Sequence, residues 1–284
     1  MKKILVTGKN GQIGWELCHT MAHLGRVRAV DKEEFNLSDP NAMRSFLQDY
    51  KPDIIVNAAA YTNVEKAEEE RELAFQVNSA APGILAEEAR KLGAIFVHYS
   101  TDYVFDGTSS KPYREEETPS PLNFYGQSKL AGEKAIEAIG GKYLILRTSW
   151  IFGKRGKNFM QTMLNSQKEE LKIVNDQIGA PTWCKFVAHA TTAILREEKE
   201  VWGLFHLTAA GETSWCGFAR EIFKMANKKK KVIPISSQDY PSNVRRPSYS
   251  VLSNQKIKNA FGISLLDWKT QLHLCLNEPP ELRD

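Results

Sequence analysis

Short apolar runs alternate with stretches of helical hydrophobic periodicity through the first half of the chain. The runs over 4–6, 27–30, 53–56, 95–99 and 143–147 predict five β-strands. Between them, apolar residues at helical spacing predict helices over 13–24, 38–50 and 65–92, the last broken near Pro82 and Gly83. Apolar strands that alternate with helices form parallel sheets covered on both faces. We therefore expect an α/β fold with a doubly wound parallel sheet.

The pattern becomes less regular after about residue 150. Helices are predicted over 159–170, 186–196 and 214–226, with extended segments over 171–174, 205–207 and 232–247 and two short helices at the end. The expected organisation is a dinucleotide-binding domain over 1–150 and a smaller C-terminal substrate-binding lobe over 151–284. That lobe is non-contiguous, because a helix near 184–198 is expected to join the first domain.

Composition narrows the class of protein. The chain has 284 residues, of which 42% are hydrophobic and 25% charged, as is typical of soluble globular proteins. A net charge of +4 is too small to indicate a nucleic-acid partner. No apolar run approaches the roughly 18 residues of a membrane helix, and no cleavable leader is recognised. The four cysteines show neither metal nor redox spacing, which favours free thiols and a cytoplasmic location.

Glycines Gly8, Gly11 and Gly14 follow the first predicted strand and open the first helix. Glycines here let backbone N–H groups approach a pyrophosphate at a helix N-terminus. The spacing differs from the commonest Gly-x-Gly-x-x-Gly pattern, and a plain glycine-rich turn is the alternative. The position after the strand favours nucleotide binding in a Rossmann-type sheet.

Two further segments lie where the same nucleotide would be expected. Asp31 ends the second strand, where a carboxylate can accept from ribose hydroxyls, although it can also be a solvated turn residue. Lys32 beside it could instead contact a 2′-phosphate. Ala58, Ala59 and Ala60 follow the third strand, and their small side chains permit close approach of a ligand or of a packed helix.

Tyr125 and Lys129 are spaced i, i+4, which places them on one face of a helix. A nearby ammonium lowers the pKa of a phenol, so Tyr125 can exchange a proton with a carbonyl or carbinol oxygen. Such a pair is also common by chance. Thr101, after the fourth strand, could donate to a substrate oxygen or simply form a turn.

In this order, the motifs resemble the extended short-chain dehydrogenase/reductase superfamily and, within it, the family of dTDP-4-dehydrorhamnose reductases. The matching segments are 8–14, 56–62, 98–105, 121–133, 147–150, 175–182 and 246–247. The resemblance implies reduction of a dTDP-linked 4-keto sugar at C4 by hydride from NADPH or NADH, for cell-surface polysaccharide synthesis. It also implies that Tyr125 is the proton donor, Lys129 its partner and a cofactor contact, and Thr101 the third catalytic residue.

The resemblance assigns binding residues as well. The sugar pocket would be lined, beside Thr101 and Tyr125, by Val64, Asp102, Tyr103 and Trp150. The cofactor would be surrounded by the glycines and by Asn10, Gln12, Ile13, Asp31, Asn36, Leu37, Ala58, Ala59, Ala60, Thr62 and Tyr99. The nucleotide end of the substrate would meet Asn158, the loop over 175–182 and Arg246.

One departure concerns metal and assembly. Family members that dimerise through Mg²⁺ carry acidic residues on the first helix and after the Ala-Pro-Thr segment. Glu16 matches the first position, but the segment over 183–189 has no acidic pair. We expect a monomer or a weak homodimer that does not need Mg²⁺.

Two other functions remain open from the sequence. A nucleotide-sugar 4,6-dehydratase or epimerase would share the fold, but related dehydratases carry Asp-Glu directly after the active-site threonine, where this chain has Asp102 and Tyr103. A non-catalytic NADP-binding regulatory subunit would also keep much of the motif set. Oxidation of NADPH by the purified protein distinguishes them.

Overall fold

The computed structural model describes residues 1–279. Its strands are β1 (Lys2–Thr7), β2 (Gly25–Val30), β3 (Ile54–Asn57), β4 (Ile95–Thr101), β5 (Tyr143–Thr148), β6 (Ile151–Phe152), β7 (Glu170–Val174), β8 (Ile178–Gly179), β9 (Thr182–Trp183), β10 (Gly203–His206), β11 (Thr213–Ser214) and β12 (Lys231–Ile235). Its helices are α1 (Gln12–Thr20), α2 (Pro40–Tyr50), α3 (Arg71–Phe75), α4 (Ala81–Leu92), α5 (Phe124–Ile139), α6 (Phe159–Leu164), α7 (Cys184–Arg196), α8 (Trp215–Met225), α9 (Gln255–Phe261) and α10 (Trp268–Asn277).

The central sheet has six parallel strands in the order β10-β5-β4-β3-β1-β2. The chain runs outward from β1 to β2, then crosses to β3 on the other side of β1. Ligands of open α/β sheets bind outside the carboxyl ends of strands at such a switch point. This architecture confirms the expected α/β fold and directs attention to the ends of β1, β3 and β4.

Both faces of this sheet are covered, as the alternation of side chains along β1 requires. Ile4 and Val6 point into one apolar cluster with α1, α7 and α9. Leu5 points into the opposite cluster with α2, α4 and α5. The sheet is therefore doubly wound.

The remaining short strands pair two by two. β6 pairs with β9 and β7 with β12 in parallel, whereas β8 and β11 are antiparallel. With α6, α8 and α10 they enclose a third cluster that includes Phe152, Phe218 and Trp268. β10 and α7 come from the second half of the chain but lie on the central sheet. The division into domains over 1–150 and 151–284 stays a prediction.

The predicted helix over 65–92 is interrupted earlier than expected. A 3₁₀ turn (Lys66–Glu68), α3, a π-helical turn (Gln76–Ala80) and α4 follow one another. The irregular turn carries Asn78, whose side chain bonds the backbone N–H and carbonyl of Tyr61 at 2.8 and 3.0 Å. Pro82 interrupts nothing, because it lies at the start of α4, where a missing N–H is tolerated.

The predicted helix over 159–170 is also shorter in the structure. α6 ends at Leu164, and Glu170 already belongs to β7. Glu169 and Glu170 pair with Lys230 and Lys231 beside β12, so this segment is used for strand pairing.

Among the helices of residues 1–279, none combines the length and the apolar character that a membrane span requires.

Candidate active site

The glycine loop lies between β1 and α1 and is closely packed. Gly8 has φ of +74°, and a Cβ on it would lie 2.8 Å from the Ala59 nitrogen. A Cβ on Gly14 would lie 2.0 Å from the Gly8 carbonyl oxygen. Gly11 is the N-cap of α1, and no side chain of the described residues caps that end. The first-turn N–H groups at Gln12 and Ile13 are therefore available to an anion such as a pyrophosphate.

Asp31 lies beside this loop and already has several partners. Its carboxylate accepts from the N–H groups of Glu33 and Glu34 at 3.0 and 3.4 Å, and from the Asn10 amide at 3.1 Å. Lys9 Nζ is 3.4 Å from Asp31 Oδ2 and also pairs with Glu34. Desolvation opposes ionisation, but these hydrogen bonds and the Lys9 charge lower the pKa of Asp31. Asp31 is thus an ionised acceptor with a cation beside it.

The other proposed cofactor residues are only partly gathered at this edge. Ala58, Ala59 and Ala60 follow β3 and are half-buried, whereas Thr62 is exposed. Asn36 accepts from the backbone and hydroxyl of Ser38. The Leu37 side chain packs in the core, and the Tyr99 hydroxyl lies 2.8 Å from Thr191 Oγ1 on α7.

Thr101, Asp102, Tyr103 and Tyr125 meet where β4 ends. Thr101 Oγ1 accepts from the Tyr103 N–H and donates to Asp102 Oδ1, both at 3.1 Å. The rings of Tyr103 and Tyr125 meet edge to face with centroids 5.8 Å apart. Burial raises the pKa of Tyr125, and a hydrogen bond with Thr101 opposes the shift. Tyr125 therefore holds its proton at neutral pH, as a proton donor must.

Asp102 is an unusual carboxyl in this cluster. It is buried, and its Oδ2 has no hydrogen-bond partner among the described residues. Burial raises the pKa of Asp102 to about 7, although hydrogen bonds with Ser250 and Thr101 oppose the shift. A buried polar atom without a partner at a sheet edge is what a polar ligand such as a sugar would satisfy.

Lys129 lies one turn after Tyr125 on α5 and is 1% exposed. Its ammonium donates to the Tyr99 carbonyl at 2.6 Å and lies 3.1 Å from His98 Nε2. Burial lowers the pKa of Lys129 to about 8, opposed by Glu133. The expectation that Lys129 lowers the pKa of Tyr125 stays a prediction for the loaded site.

The Trp150 side chain packs against residues from the second half of the chain. Its φ of 45° is rare for a bulky residue. Trp215 of α8 stacks on its indole, while a Cβ at Gly179 would lie 2.5 Å from the indole carbon Cε2. Val64 is half-buried in the loop after β3.

Asn158 and Arg246 connect separate parts of the chain. Asn158 caps α6 by accepting from the Gln161 N–H and donates to Gln12 Oε1 at 2.9 Å. The Arg246 guanidinium hydrogen-bonds Tyr103 and lies 3.2 Å from Glu65 Oε1. Its Nε is buried and has no hydrogen-bond partner in the described part of the chain. Arg246, unlike Asn158, therefore keeps a donor, its Nε–H, for an anionic group.

The surroundings of Glu16 do not fit Mg²⁺. Glu16 is buried on α1, and its charge acts on the thiols of Cys184 and Cys275. Lys185, next to Cys184, pairs with Glu278. Mg²⁺ demands oxygen ligands, and residues 1–279 contain no group of three or more His, Cys, Asp or Glu side chains that could hold a metal ion.

Sequence reasoning gave no role to His98, Ser250 or Trp215, which contact residues of the site. His98 had a usable signal, because it is a lone polar residue inside an apolar strand. Ser250 and Trp215 had none, because their contacts join distant parts of the chain.

Comparison with known proteins identifies the family. A family model described as the RmlD substrate binding domain matches residues 1–280. A dTDP-4-dehydrorhamnose reductase of Burkholderia thailandensis is 46% identical, over 97% of this chain and 98% of that protein.

Solved structures agree as well. A dTDP-4-dehydrorhamnose reductase of Clostridium acetobutylicum superposes with a TM-score of 0.93 at 37% identity, covering 97% of this chain and 98% of the other. One of Bacillus anthracis, in complex with NADP, gives 0.91 at 34% identity over 98% and 99%. With matches of this extent and identity, the chain belongs to the RmlD substrate-binding-domain family, the family of dTDP-4-dehydrorhamnose reductases.

Proposed function

We propose that the chain reduces the C4 ketone of dTDP-4-dehydrorhamnose to give dTDP-L-rhamnose for cell-surface polysaccharide synthesis, with NADPH or NADH as the reductant. The observation that carries this proposal is the position of Tyr125. Its half-buried, protonated phenol contacts Thr101 at the sheet edge that also carries the glycine loop.

The residues at this edge fit a nicotinamide dinucleotide. Gly8, Gly11 and Gly14 let the loop pack closely on its own backbone and on Ala59, and the uncapped N-terminus of α1 would bind the pyrophosphate. Asp31 would accept from the adenosine ribose, with Lys9 close enough to offset the charge of a 2′-phosphate. When bound, the cofactor supplies the hydride that reduces the sugar ketone.

Tyr125 then has a defined task. Reduction at C4 leaves negative charge on the former ketone oxygen, and Tyr125 donates its proton to that oxygen. Thr101, held by Asp102 and the Tyr103 N–H, orients the phenol and can contact the same oxygen. General acid catalysis of this kind contributes about 10²–10⁴-fold to the rate.

The substrate would extend from this point toward the second half of the chain. Asp102, Tyr103 and Trp150, with Val64, would contact the sugar. The Arg246 guanidinium would meet the diphosphate and exchange its contact with Glu65 for a phosphate oxygen. Asn158 would act at the nucleotide end mainly by fixing Gln12 and α6.

The site supports the alternatives less well. A dehydratase needs a second base beside Asp102, but Tyr103 occupies that position and burial raises its pKa to about 12. A regulatory subunit needs no protonated phenol poised beside Thr101. The test is loss of NADPH absorbance on addition of the dTDP-4-keto sugar, with the product identified by NMR. No absorbance loss would refute the reductase.

We also propose a cytoplasmic monomer or weak homodimer that assembles without Mg²⁺ and binds no nucleic acid. The free thiols of the four cysteines support the location, the unsuitable donor set around Glu16 supports assembly without Mg²⁺, and the low net charge supports the absence of a nucleic-acid partner.

A further inference from the structure

Four buried polar side chains form a continuous chain behind the proposed active site. Lys129 Nζ lies 3.1 Å from His98 Nε2, and His98 Nδ1 lies 3.1 Å from the amide nitrogen of Asn57. The Asn57 oxygen accepts from the Thr7 hydroxyl at 2.6 Å. None of the four residues is more than 2% exposed.

The sheet register brings three of these residues side by side. Thr7 of β1 pairs with Asn57 of β3, and Asn57 pairs with His98 of β4. They are the last residues of β1 and β3 and the middle residue of β4, and the first two lie at the edge where the cofactor is expected. Burying polar groups costs free energy unless their hydrogen bonds are made, and apolar residues would fill the same positions without that cost. These hydrogen-bonded side chains are therefore better explained by their contact with Lys129 than by packing.

We propose that His98 is a positioning residue for Lys129: its Nε2 accepts one N–H of the Lys129 ammonium, and the Asn57 amide, which can offer either its oxygen or its nitrogen, pairs with Nδ1. This rests on the proposed role of Lys129 in the reductase. Thr7 hydrogen-bonds the end of the Asn57 amide that faces away from His98.

The hydrogen-bonding capacity of each group supports this assignment. An ammonium has only donors, so Nε2 must accept from it and the ring proton must lie on Nδ1. Nδ1–H then needs the Asn57 oxygen, so in this state the Asn57 amide is turned over relative to the structure and its NH₂ meets the Thr7 hydroxyl. One ammonium N–H goes to the Tyr99 carbonyl at 2.6 Å. The third is left for the ribose and Tyr125.

The same side chains can also hydrogen-bond a neutral Lys129. His98 Nε2–H then donates to the amine, Nδ1 accepts from the Asn57 NH₂, and the Asn57 oxygen accepts from Thr7. This is the amide orientation seen in the structure. Both charge states of Lys129 are thereby matched without an unpaired donor between Lys129 and Asn57.

The charges around Lys129 leave His98 neutral. Burial, together with the Lys129 charge, keeps the pKa of His98 well below its ordinary value. Glu133, on the same helix, faces Lys129 but is bound to Arg147 of β5. Asp102 and Tyr103 act on Tyr125. His98 therefore acts as a hydrogen-bonding partner of Lys129 and does not compete with it for a proton.

Three substitutions test the proposal. Glutamine at position 98 carries its amide about as far as Nε2, asparagine reaches only about as far as Nδ1, and phenylalanine keeps the ring without either nitrogen. In His98→Phe and His98→Asn we expect kcat to fall about tenfold or more, because Lys129 loses its orientation. His98→Gln should retain most of the activity.

The pH profile separates positioning from packing. Loss of an acceptor disfavours the ammonium, so the basic limb of the kcat profile should move to lower pH by about one unit in His98→Phe. His206→Phe is the matched control, since His206 is a fully buried histidine on β10 of the same sheet. It should lower Tm without moving that limb.

A direct titration makes the result independent of turnover. The Lys129 side chain can be followed by NMR in wild type and His98→Phe without substrate, with Lys129→Met to assign the signal. A downward shift of the Lys129 pKa is expected even if the reductase proposal itself fails. An unchanged titration in folded His98→Phe, or equal behaviour of His98→Gln and His98→Asn, would overturn the positioning role. If His98→Phe does not fold, the glutamine and asparagine variants decide by both readouts.

Discussion

The indole rings of Trp150 and Trp215 lie face to face, with centroids 3.5 Å apart and planes 4° apart. Trp150 has a left-handed backbone, and Gly179 leaves its other edge free of a Cβ clash. A strained residue persists only where its surroundings hold it. Trp215 and Gly179 therefore keep Trp150 in place as a wall of the proposed sugar pocket.

Removing Trp215 should weaken substrate binding. Because an aromatic pair contributes about 0.5–1.5 kcal/mol beyond its buried area, Trp215→Ala should raise KM for the nucleotide sugar about three- to tenfold. KM for NADPH should change little. Steady-state kinetics check this, with Trp202→Ala at the β10 edge of the sheet as a control. An unchanged sugar KM in Trp215→Ala would show that Trp150 needs no support.

Lys9 and Asp31 should set the balance between cofactors. Both NADPH and NADH should serve, with kcat/KM within about tenfold, or roughly 1.4 kcal/mol. Asp31→Ala removes repulsion and should favour NADPH, whereas Lys9→Met should favour NADH. Arg28 adds little here, because its guanidinium packs over the Phe46 ring at 4.4 Å.

Kinetics with each cofactor decide this prediction, with Lys229→Met as a control lysine beyond the end of α8. A wild-type preference above about a hundredfold in either direction, or a shift of Asp31→Ala toward NADH, would contradict it.

Asp102 should make the fold less stable at high pH. Its pKa is raised to about 7 in the folded state, chiefly by burial, so the folded protein holds a proton that the unfolded chain releases near pH 4. Stability from this group is present at low pH and is lost as pH rises through about 7. Asp102→Asn removes that loss.

Urea unfolding at pH 5 and pH 8.5 measures this effect. Relative to wild type, the free energy of unfolding of Asp102→Asn should be higher at pH 8.5 than at pH 5 by about 2–3 kcal/mol. Asp49→Asn, on the exposed side of α2, should show no such difference. Parallel pH dependence of wild type and Asp102→Asn would mean that Asp102 ionises freely.

Chelation should leave the assembly unchanged. The charge of Glu16 acts on two thiols, and no metal-binding cluster occurs among residues 1–279. Light scattering with and without EDTA should therefore report the same mass. A dimer that dissociates with EDTA would show that Mg²⁺ takes ligands from elsewhere.

Local patterns predicted the central sheet because its strands alternate faces within a few residues, as Ile4, Leu5 and Val6 do. The glycine loop and the spacing of Tyr125 and Lys129 were readable for the same reason. The π-helical turn was not readable, since the Asn78 side chain in it is held by hydrogen bonds to Tyr61 and Ser128, which are distant in the chain. The partners of His98 and Trp150 likewise come from other strands and helices.

The central claim is that hydride reaches C4 of the sugar while Tyr125 supplies the proton. The most direct measurement uses NADPH deuterated at the transferring position of the nicotinamide, with dTDP-4-dehydrorhamnose, for wild type and Tyr125→Phe. We predict one deuterium at C4 of the product per NADPH oxidised, and a kcat about 10²–10⁴-fold lower in folded Tyr125→Phe. Product without deuterium at C4, or normal turnover of Tyr125→Phe, would contradict the account.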